Sequence, residues 1–596
     1  MSSGADPLTP YPLDMLLGRV ADEWESRQRI FDLPSARVWK RPSDLDLGFS
    51  FLGRPCASPV GPAAGPHSQM TQNIVLSWLG GSRLFELKTV QVLDRLEIAR
   101  PCIDMQTIGY NIEWSQELRV EESLIEYVKA WMMIRILNNW EPVSELVGPD
   151  PGPFVFDMSV GYDLDGISTD KVSDFIMEMK NAKDRIDSFR PRIPEPFAHL
   201  RDLDFPSRIA DTVTLSTFHG CPPHEIDAIT KHLMTRHECD VIVKLNPTLL
   251  GIGRVQEILH ETLGYEHIPL LAQAFVDDLQ FDQGIELIEG LREFARRHGR
   301  RFGIKLSNTL VVGNEKGWMP DDPMYLSGPP LHVITSTLLD ELICALPGVF
   351  NLAGHGGDVQ VSFSAGVSKE NLSDTLGMGV APVTICSDLL KPGGYGRLAP
   401  MLNRLAVEMR QAGATDLASW HNHKWEVARA GGYRGPVEAH VMAMSGGKET
   451  GFYHLSGNEK LPRAVDKVLQ MWGCVACNFC VTVCPNDAVI RLATVPELQD
   501  ELTDRWQYFI LAELCNECGN CLTFCPEEGD PAVLKPRLFV DRDRFEADQD
   551  QGFFITPTAD RLGVLASPGY EKEVAPLTAM LNGAQGLPIR TAELPT

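Results

Sequence analysis

The sequence predicts an α/β chain in two parts, a closed parallel β/α barrel followed by a small α+β domain organised by cysteines. Three observations predict it. Between about residues 50 and 400, short apolar runs with β-branched residues alternate with longer helix-like segments, the order that a parallel sheet of βα units requires. Polar residues or glycines cluster at the C-terminal ends of these runs, where such barrels assemble their sites. Eight of the 14 cysteines crowd into the segment from Cys474 to Cys525.

The strand candidates, in order, are CASPVGPA, LFELKTV, FVFDMSVG, TVTLSTF, VIVKLNP, FGIKLSNT, VFNLAGHGG and PVTICSD. Eight such runs close a TIM-type (β/α)8 barrel. A ninth, IPLLAQAF from Ile268, is read as part of an insertion, because the acidic segment after it looks like surface. The residues at the C-terminal ends include Lys88, His219, Asn246, Asn308, Gly356 and Ser387, and they point to one shared mouth. The barrel with its N-terminal extension is assigned to residues 1–400, a helical and then Gly-rich linker to 401–465, the cysteine domain to 466–545, and a tail of prolines, glycines and acidic residues to 546–596.

With 44% hydrophobic and 22% charged residues the chain can bury a large core. Its 80 acidic against 54 basic residues leave a formal charge of −26, which repels phosphate backbones and anionic headgroups, so neither nucleic acid nor a membrane surface is an expected partner. The first residues lack a basic stretch followed by a sustained apolar run, and no stretch of about 18 apolar residues occurs. The cysteine distribution is not that of a small secreted scaffold, and a reducing cytoplasm fits it.

Cys474, Cys477, Cys480 and Cys484 followed by Pro485 spell CxxCxxCxxxCP, and Cys515, Cys518, Cys521 and Cys525 followed by Pro526 spell it again. This is the spacing of a bacterial-type ferredoxin domain with two [4Fe-4S] clusters, in which three close thiolates hold one cluster and the fourth ligates the other. It predicts one cluster on Cys474, Cys477, Cys480 and Cys525, and a second on Cys515, Cys518, Cys521 and Cys484. Zinc also uses paired CxxC units but does not explain two complete runs of this form. Two adjacent one-electron centres read as a relay. His421 and His423 in WHNH lack a carboxylate or cysteine partner in sequence and are read as surface residues.

The segment ASPVGPAAGPHSQMTQN, with Ala64 inside it, is too rich in glycine and proline for a helix and would bring backbone close to a planar ligand. Together with FELKTVQ, YNIEWS, FDMSVGYD, TLSTFHGCPPHEI, VKLNPTLLG, IKLSNTL, the YLSG loop, AGHGG and TICSDLLKPGG, it resembles the FMN-binding barrel shared by dihydroorotate and dihydropyrimidine dehydrogenases. The likeness covers about residues 10 to 400 and is nearest to the flavin-barrel family labelled selenate reductase, although no residue here carries selenate chemistry. The dihydropyrimidine dehydrogenases also carry a C-terminal two-cluster module.

That resemblance implies roles. Lys88 and Lys244 match the barrel lysines that face the flavin, where a cation stabilises the reduced ring. Gly356, Gly357, Cys386 and Ser387 match the backbone donors to the FMN phosphate. Asn111 and Asn308 match the asparagines that hold a flat heterocycle over the flavin. Cys221, in HGCPPHEI, matches the cysteine that exchanges a proton with substrate carbon, and His219 and His224 flank it. LSTFHG stands where the family has an asparagine-containing LSCP segment, and the region between Ile167 and Arg208 has no counterpart, so the substrate pocket differs.

The implied function is an iron-sulfur flavoprotein oxidoreductase that passes electrons between the two clusters and FMN to reduce or oxidise a small planar unsaturated substrate, of the pyrimidine or purine type. The alternatives are a non-catalytic electron-transfer subunit of a larger reductase complex, and a scaffold with a vestigial barrel. The chain has no GxGxxG to seat a dinucleotide, so an FAD- or NAD(P)H-binding partner subunit, or a ferredoxin, is expected to complete the circuit.

Overall fold

Eight parallel strands form the barrel: β1 (Val60–Pro62), β2 (Leu84–Glu86), β3 (Val155–Gly161), β4 (Thr212–Ser216), β5 (Asp240–Leu245), β6 (Phe302–Leu306), β7 (Gln360–Phe363) and β8 (Val383–Ile385). The computed structural model describes residues 8–587 except 95, 97, 113–115, 218, 316, 318, 353–355, 448, 501, 503, 548–551 and 558–560. Strand pairing runs β1-β8-β7-β6-β5-β4-β3-β2, and the seam between β1 and β2 is bridged by the Arg83 N–H donating to Val60 O at 3.1 Å. Gly61 sits at that seam because a Cβ there would lie 1.7 Å from Leu84 O. A helix follows each strand, among them Thr71–Gly80, Val120–Asn139, Pro223–Thr235 and Pro329–Ala345. The strands are buried almost throughout, as both faces of a barrel sheet demand.

Seven of the expected strand runs contain or overlap a barrel strand; VFNLAGHGG does not. Within it Phe350 makes only an isolated bridge to Val359, and the strand forms downstream at Gln360–Phe363. The reason is Gln360, a polar residue that the barrel wall keeps because it is fully used. Its Oε1 accepts from Leu52 N at 2.6 Å, and its Nε2 donates to Ser50 O at 3.0 Å and Ala381 O at 2.9 Å. These bonds latch the hairpin of Phe49–Phe51 and Arg54–Cys56 across the bottom of the barrel, where Arg54 pairs with Asp211 and Asp240. The run from Ile268 makes an isolated bridge, Leu270 to Val312, and then a helix, Ala272–Asp277, outside the barrel sheet.

Over the opposite end lies a small antiparallel sheet in the order Leu310–Val312, Met324–Leu326, Tyr110–Asn111, Ile103–Asp104. The C-terminal domain has a five-stranded sheet of β9 (Val489–Ala493), β10 (Trp506–Leu511), β11 (Arg537–Phe539), β12 (Phe553–Pro557) and β13 (Leu562–Ala566). The segment expected to be a tail after 545 thus supplies two strands to this sheet, β12 beside β11 and β13 beside β12. Phe553 and Ile555 are buried there, an apolar pattern that pays for strand order in a segment otherwise rich in turn residues. Among the described residues no helix is long and apolar enough to cross a membrane.

Candidate active site

A cavity of about 790 Å³ opens between the C-terminal ends of the barrel strands and the small antiparallel sheet. All eight strand ends reach it: Ala64 and Gly65 follow β1, Lys88 follows β2, Gly161 ends β3, Ser216 ends β4, Lys244 lies in β5, Ser307 and Asn308 follow β6, Ala365 and Gly366 follow β7, and Cys386 and Ser387 follow β8. Asn111, Tyr110 and Tyr325 face it from the sheet above. Its volume is that of a site for a cofactor plus a small substrate.

Ala64, Lys88, Lys244, Asn111, Asn308, Cys386 and Ser387 therefore share one cavity. Gly356 and Gly357 do not line it, and Ala353–His355 of AGHGG and Glu113–Ser115 of YNIEWS lie outside the described residues. Both glycines precede β7, at the end of the strand away from the mouth. The β7 loop instead presents Gly366, whose φ is 51° and whose Cβ, were there one, would lie 2.1 Å from Gly328 O. His421 and His423 are half-buried on the helix Leu417–Ala430 and take no part in the cavity.

Three lysines rise from the cavity floor. Burial pulls Lys88 down to about 8, against the opposing pull of Glu117 and Cys386, and pulls Lys244 down to about 8. The third, Lys305 in β6, was not singled out from the sequence, although a lysine within the apolar FGIKL run was the signal. It is ion-paired with Glu86 of β2, and its Nζ donates to Thr384 Oγ1 at 3.0 Å. Burial pushes the Cys386 thiol up to about 11, with Lys88 and Lys305 pulling the other way. Replacing Lys305 by Met leaves the Glu86 carboxylate buried without its cation, which costs about 3–5 kcal/mol. The expected result is a clear fall in Tm that Lys305→Met combined with Glu86→Gln largely restores; an unchanged Tm in the single variant would show that the pair does not hold β2 to β6.

His219 also lines the cavity, stacked on Tyr325 with ring centroids 5.6 Å apart. Its Nδ1 lies 3.0 Å from Asp278 Oδ2, while Asp278 accepts from Gly220 N at 2.6 Å and from Thr248 Oγ1 at 2.6 Å. Burial would raise the Asp278 carboxyl, but the bonds from His219, Thr248 and Gly220 hold it below the ordinary range. A carboxylate so held accepts a hydrogen bond from Nδ1–H, which leaves the lone pair of the neutral ring on Nε2. Nε2 is buried and has no hydrogen-bond partner among the described residues. Cys221 is different from what the sequence implied. It does not line the cavity, it is 3% exposed, and burial pushes its thiol up to about 12. The chain turns at Gly220 into the helix starting at Pro223, which carries Cys221 into the core and leaves His224 exposed.

The eight clustered cysteines fall into two groups, and none forms a disulfide. Burial raises Cys480, with Cys477, Cys474 and Cys525 adding to it; burial raises Cys521, with Asp530, Cys518, Cys515 and Cys484 adding to it. The last cysteine of each motif thus sits with the first three of the other. Ala476, Asn478 and Glu517 take positive φ and curl each loop around its thiols, while Ala488 N donates to Cys484 Sγ at 3.3 Å. These are the donor set and the backbone cradle that a [4Fe-4S] cluster requires.

The second cysteine loop is seated on the cavity wall. Cys102 N and Ile103 N donate to Cys518 O at 3.1 and 3.0 Å, and Asn520 Nδ2 donates to Leu390 O at 2.8 Å. Ile103 and Leu390 line the cavity. The first loop faces outward, with Cys477 exposed.

Residues 31–431 match the family described as oxidoreductase YgfK, N-terminal TIM-barrel domain, and residues 473–528 match the 4Fe-4S dicluster domain. Oxidoreductase YgfK of Escherichia coli (strain K12) is 39% identical over 420 residues, a match that covers 67% of this chain and 39% of the relative, and YgfK of Escherichia coli O157:H7 matches equally. The chain therefore spans well under half the length of these relatives. Among solved structures, ligand-free DHODH from Eimeria tenella aligns with a TM-score of 0.40 at 14% identity over 68% of this chain and 97% of its own. The same protein with ferulenol gives 0.41 at 13% identity, over 70% and 96%.

Proposed function

We propose, because the chain belongs to the YgfK oxidoreductase family, that it passes electrons between its cysteine-held clusters and an FMN in the barrel to reduce or oxidise a small planar nitrogen heterocycle. One observation carries this reading: the second cysteine loop is hydrogen-bonded to Ile103 and Leu390, which wall a cavity floored by three lysines. When bound, FMN exchanges electrons singly or in pairs and hydride with a substrate, and the clusters carry electrons one at a time.

The chain's residues supply the rest. Lys88 and Lys244 put positive charge beneath a ring that becomes electron-rich. Gly65 and Gly366 let backbone approach it closely, and Ser387 is held in place by its bond to Ser327 Oγ at 2.9 Å. The amides of Asn111 and Asn308 offer both donors and acceptors to a heterocycle. His219 gives or takes the substrate proton at Nε2 while Asp278 fixes its ring. Electrons enter at the outer loop around Cys477, from an FAD- or NAD(P)H-binding partner or a ferredoxin.

Anaerobic purification followed by iron, acid-labile sulfide and released-flavin analysis tests the reading. About eight irons and one FMN per chain are expected; the irons without flavin would overturn the catalytic barrel and leave an electron-transfer subunit. The lysines add a pH signature. Each carries its cation below a pKa of about 8 and loses it above. FMN affinity is therefore expected to be full below about pH 8 and to fall as pH rises through it, and Lys244→Met should flatten that profile when flavin release is followed by fluorescence.

A further inference from the structure

We propose that Asp374, His440 and Glu449 bind a divalent first-row transition ion, of the Mn²⁺ to Zn²⁺ class, at a site separate from the cavity and from the cysteine loops. The three come from the helix Leu372–Gly377 after β7, the helix Pro436–Gly446 and the turn before Thr450–Tyr453. One donor atom of each lies within 4.8 Å of the others. An ion bound at about 2.0–2.2 Å draws such atoms together by small side-chain rotations.

The hydrogen bonds around His440 settle which nitrogen is available. His332 Nδ1 lies 2.8 Å from Ala365 O, and a carbonyl only accepts, so Nδ1 carries the hydrogen. His332 is wholly buried and neutral, and its Nε2 therefore offers a lone pair. That atom is 2.9 Å from His440 Nε2, which must donate to it. The proton of His440 is thus fixed on Nε2 and its Nδ1 lone pair is free for a ligand. An imidazole whose other N–H is anchored in this way is the usual state of a metal-binding histidine.

Asp374 is also ion-paired with Lys424, whose Nζ lies 2.5 Å from Oδ1. One nitrogen and two oxygens, without a thiolate, select a borderline or hard ion over a soft one. The bound ion would close a line from His440 through His332 to Ala365 in the cavity wall, beside Asn371, whose Nδ2 donates to Gly366 O at 3.1 Å. It would tie the segment leading to the cysteine domain to the β7 loop.

The test uses the anaerobically purified holoprotein and Mn²⁺ alone, which thiolates bind poorly, with binding read from loss of the aqueous Mn²⁺ EPR signal. One tight site per chain is expected, weakened by at least about tenfold in Glu449→Gln and in Asp374→Asn, with cluster iron and sulfide unchanged. Mn²⁺ should raise the Tm of the wild type and not of either variant. Only weak, multiple binding of the kind an acidic surface gives, or a tight site that survives both substitutions, overturns the proposal. Glu449 lies in a turn rather than a helix, so its variant reports even if Asp374→Asn folds poorly.

Discussion

Replacing Cys484 by Ala is expected to remove the inner cluster and abolish substrate turnover, although Cys484 belongs to the first motif in sequence. Its thiol sits with Cys515, Cys518 and Cys521, and that loop is the one bonded to the cavity wall through Cys518 O and Asn520. The variant should keep about four of about eight irons, all on Cys474, Cys477, Cys480 and Cys525. EPR of the reduced protein would then show one isolated centre, and electrons would reach the outer loop but not the barrel. Cys525→Ala should do the reverse. It empties the outer group and slows entry from a large donor, while a small reductant that reaches the inner cluster still supports turnover. If Cys484→Ala instead loses the iron of the first three cysteines of its own motif, the crossed arrangement is wrong.

What was legible in the sequence follows from how locally each feature is determined. The cysteine loops need only spacing, because a cluster dictates the chain path around it, and both groups come together in the structure as their motifs imply. Seven strand runs were legible because burial on both faces makes them nearly continuous apolar stretches. The eighth was not, because β7 carries Gln360 and Ser362, polar residues whose partners lie more than 300 residues away at Ser50 and Leu52 in the case of Gln360. That misplacement drew the glycine assignment to Gly356 and Gly357, whereas the glycine beside β7 that lines the cavity is Gly366. The strands at Phe553–Pro557 and Leu562–Ala566 were hidden by the turn-forming residues around them, since what orders them is pairing, the first with Arg537–Phe539 and the second with the first. Lys305 and Glu86 could have been found by the reasoning applied to Lys88 and Lys244, that a charge inside an apolar strand needs a partner. Which of Cys221 and His219 faces the cavity depends on one turn at Gly220, and no pattern in HGCPPHEI fixes its direction.

That turn also sets the second large effect. His219→Gln is expected to lower kcat by about 10²–10⁴ with little change in KM, because Gln can fill the space and stack near Tyr325 but cannot transfer a proton. Asp278→Asn should lower kcat as well, by removing the carboxylate that orders the ring; an amide can present its NH₂ to Nδ1 and turn the imidazole to the wrong tautomer. Cluster content and bound flavin should be unchanged in both, since neither residue touches the cysteine loops. Cys221→Ala is the control that decides the assignment. Its thiol is enclosed, pushed up to about 12 and absent from the cavity lining, so turnover near the wild-type rate is expected. A loss in Cys221→Ala as deep as in His219→Gln, with flavin retained, would mean that the loop after β4 rearranges around substrate and brings the thiol to the reacting carbon. Normal turnover in Cys221→Ala beside inactive His219→Gln would place the proton on the histidine, whose side chain lines the cavity that every barrel strand reaches.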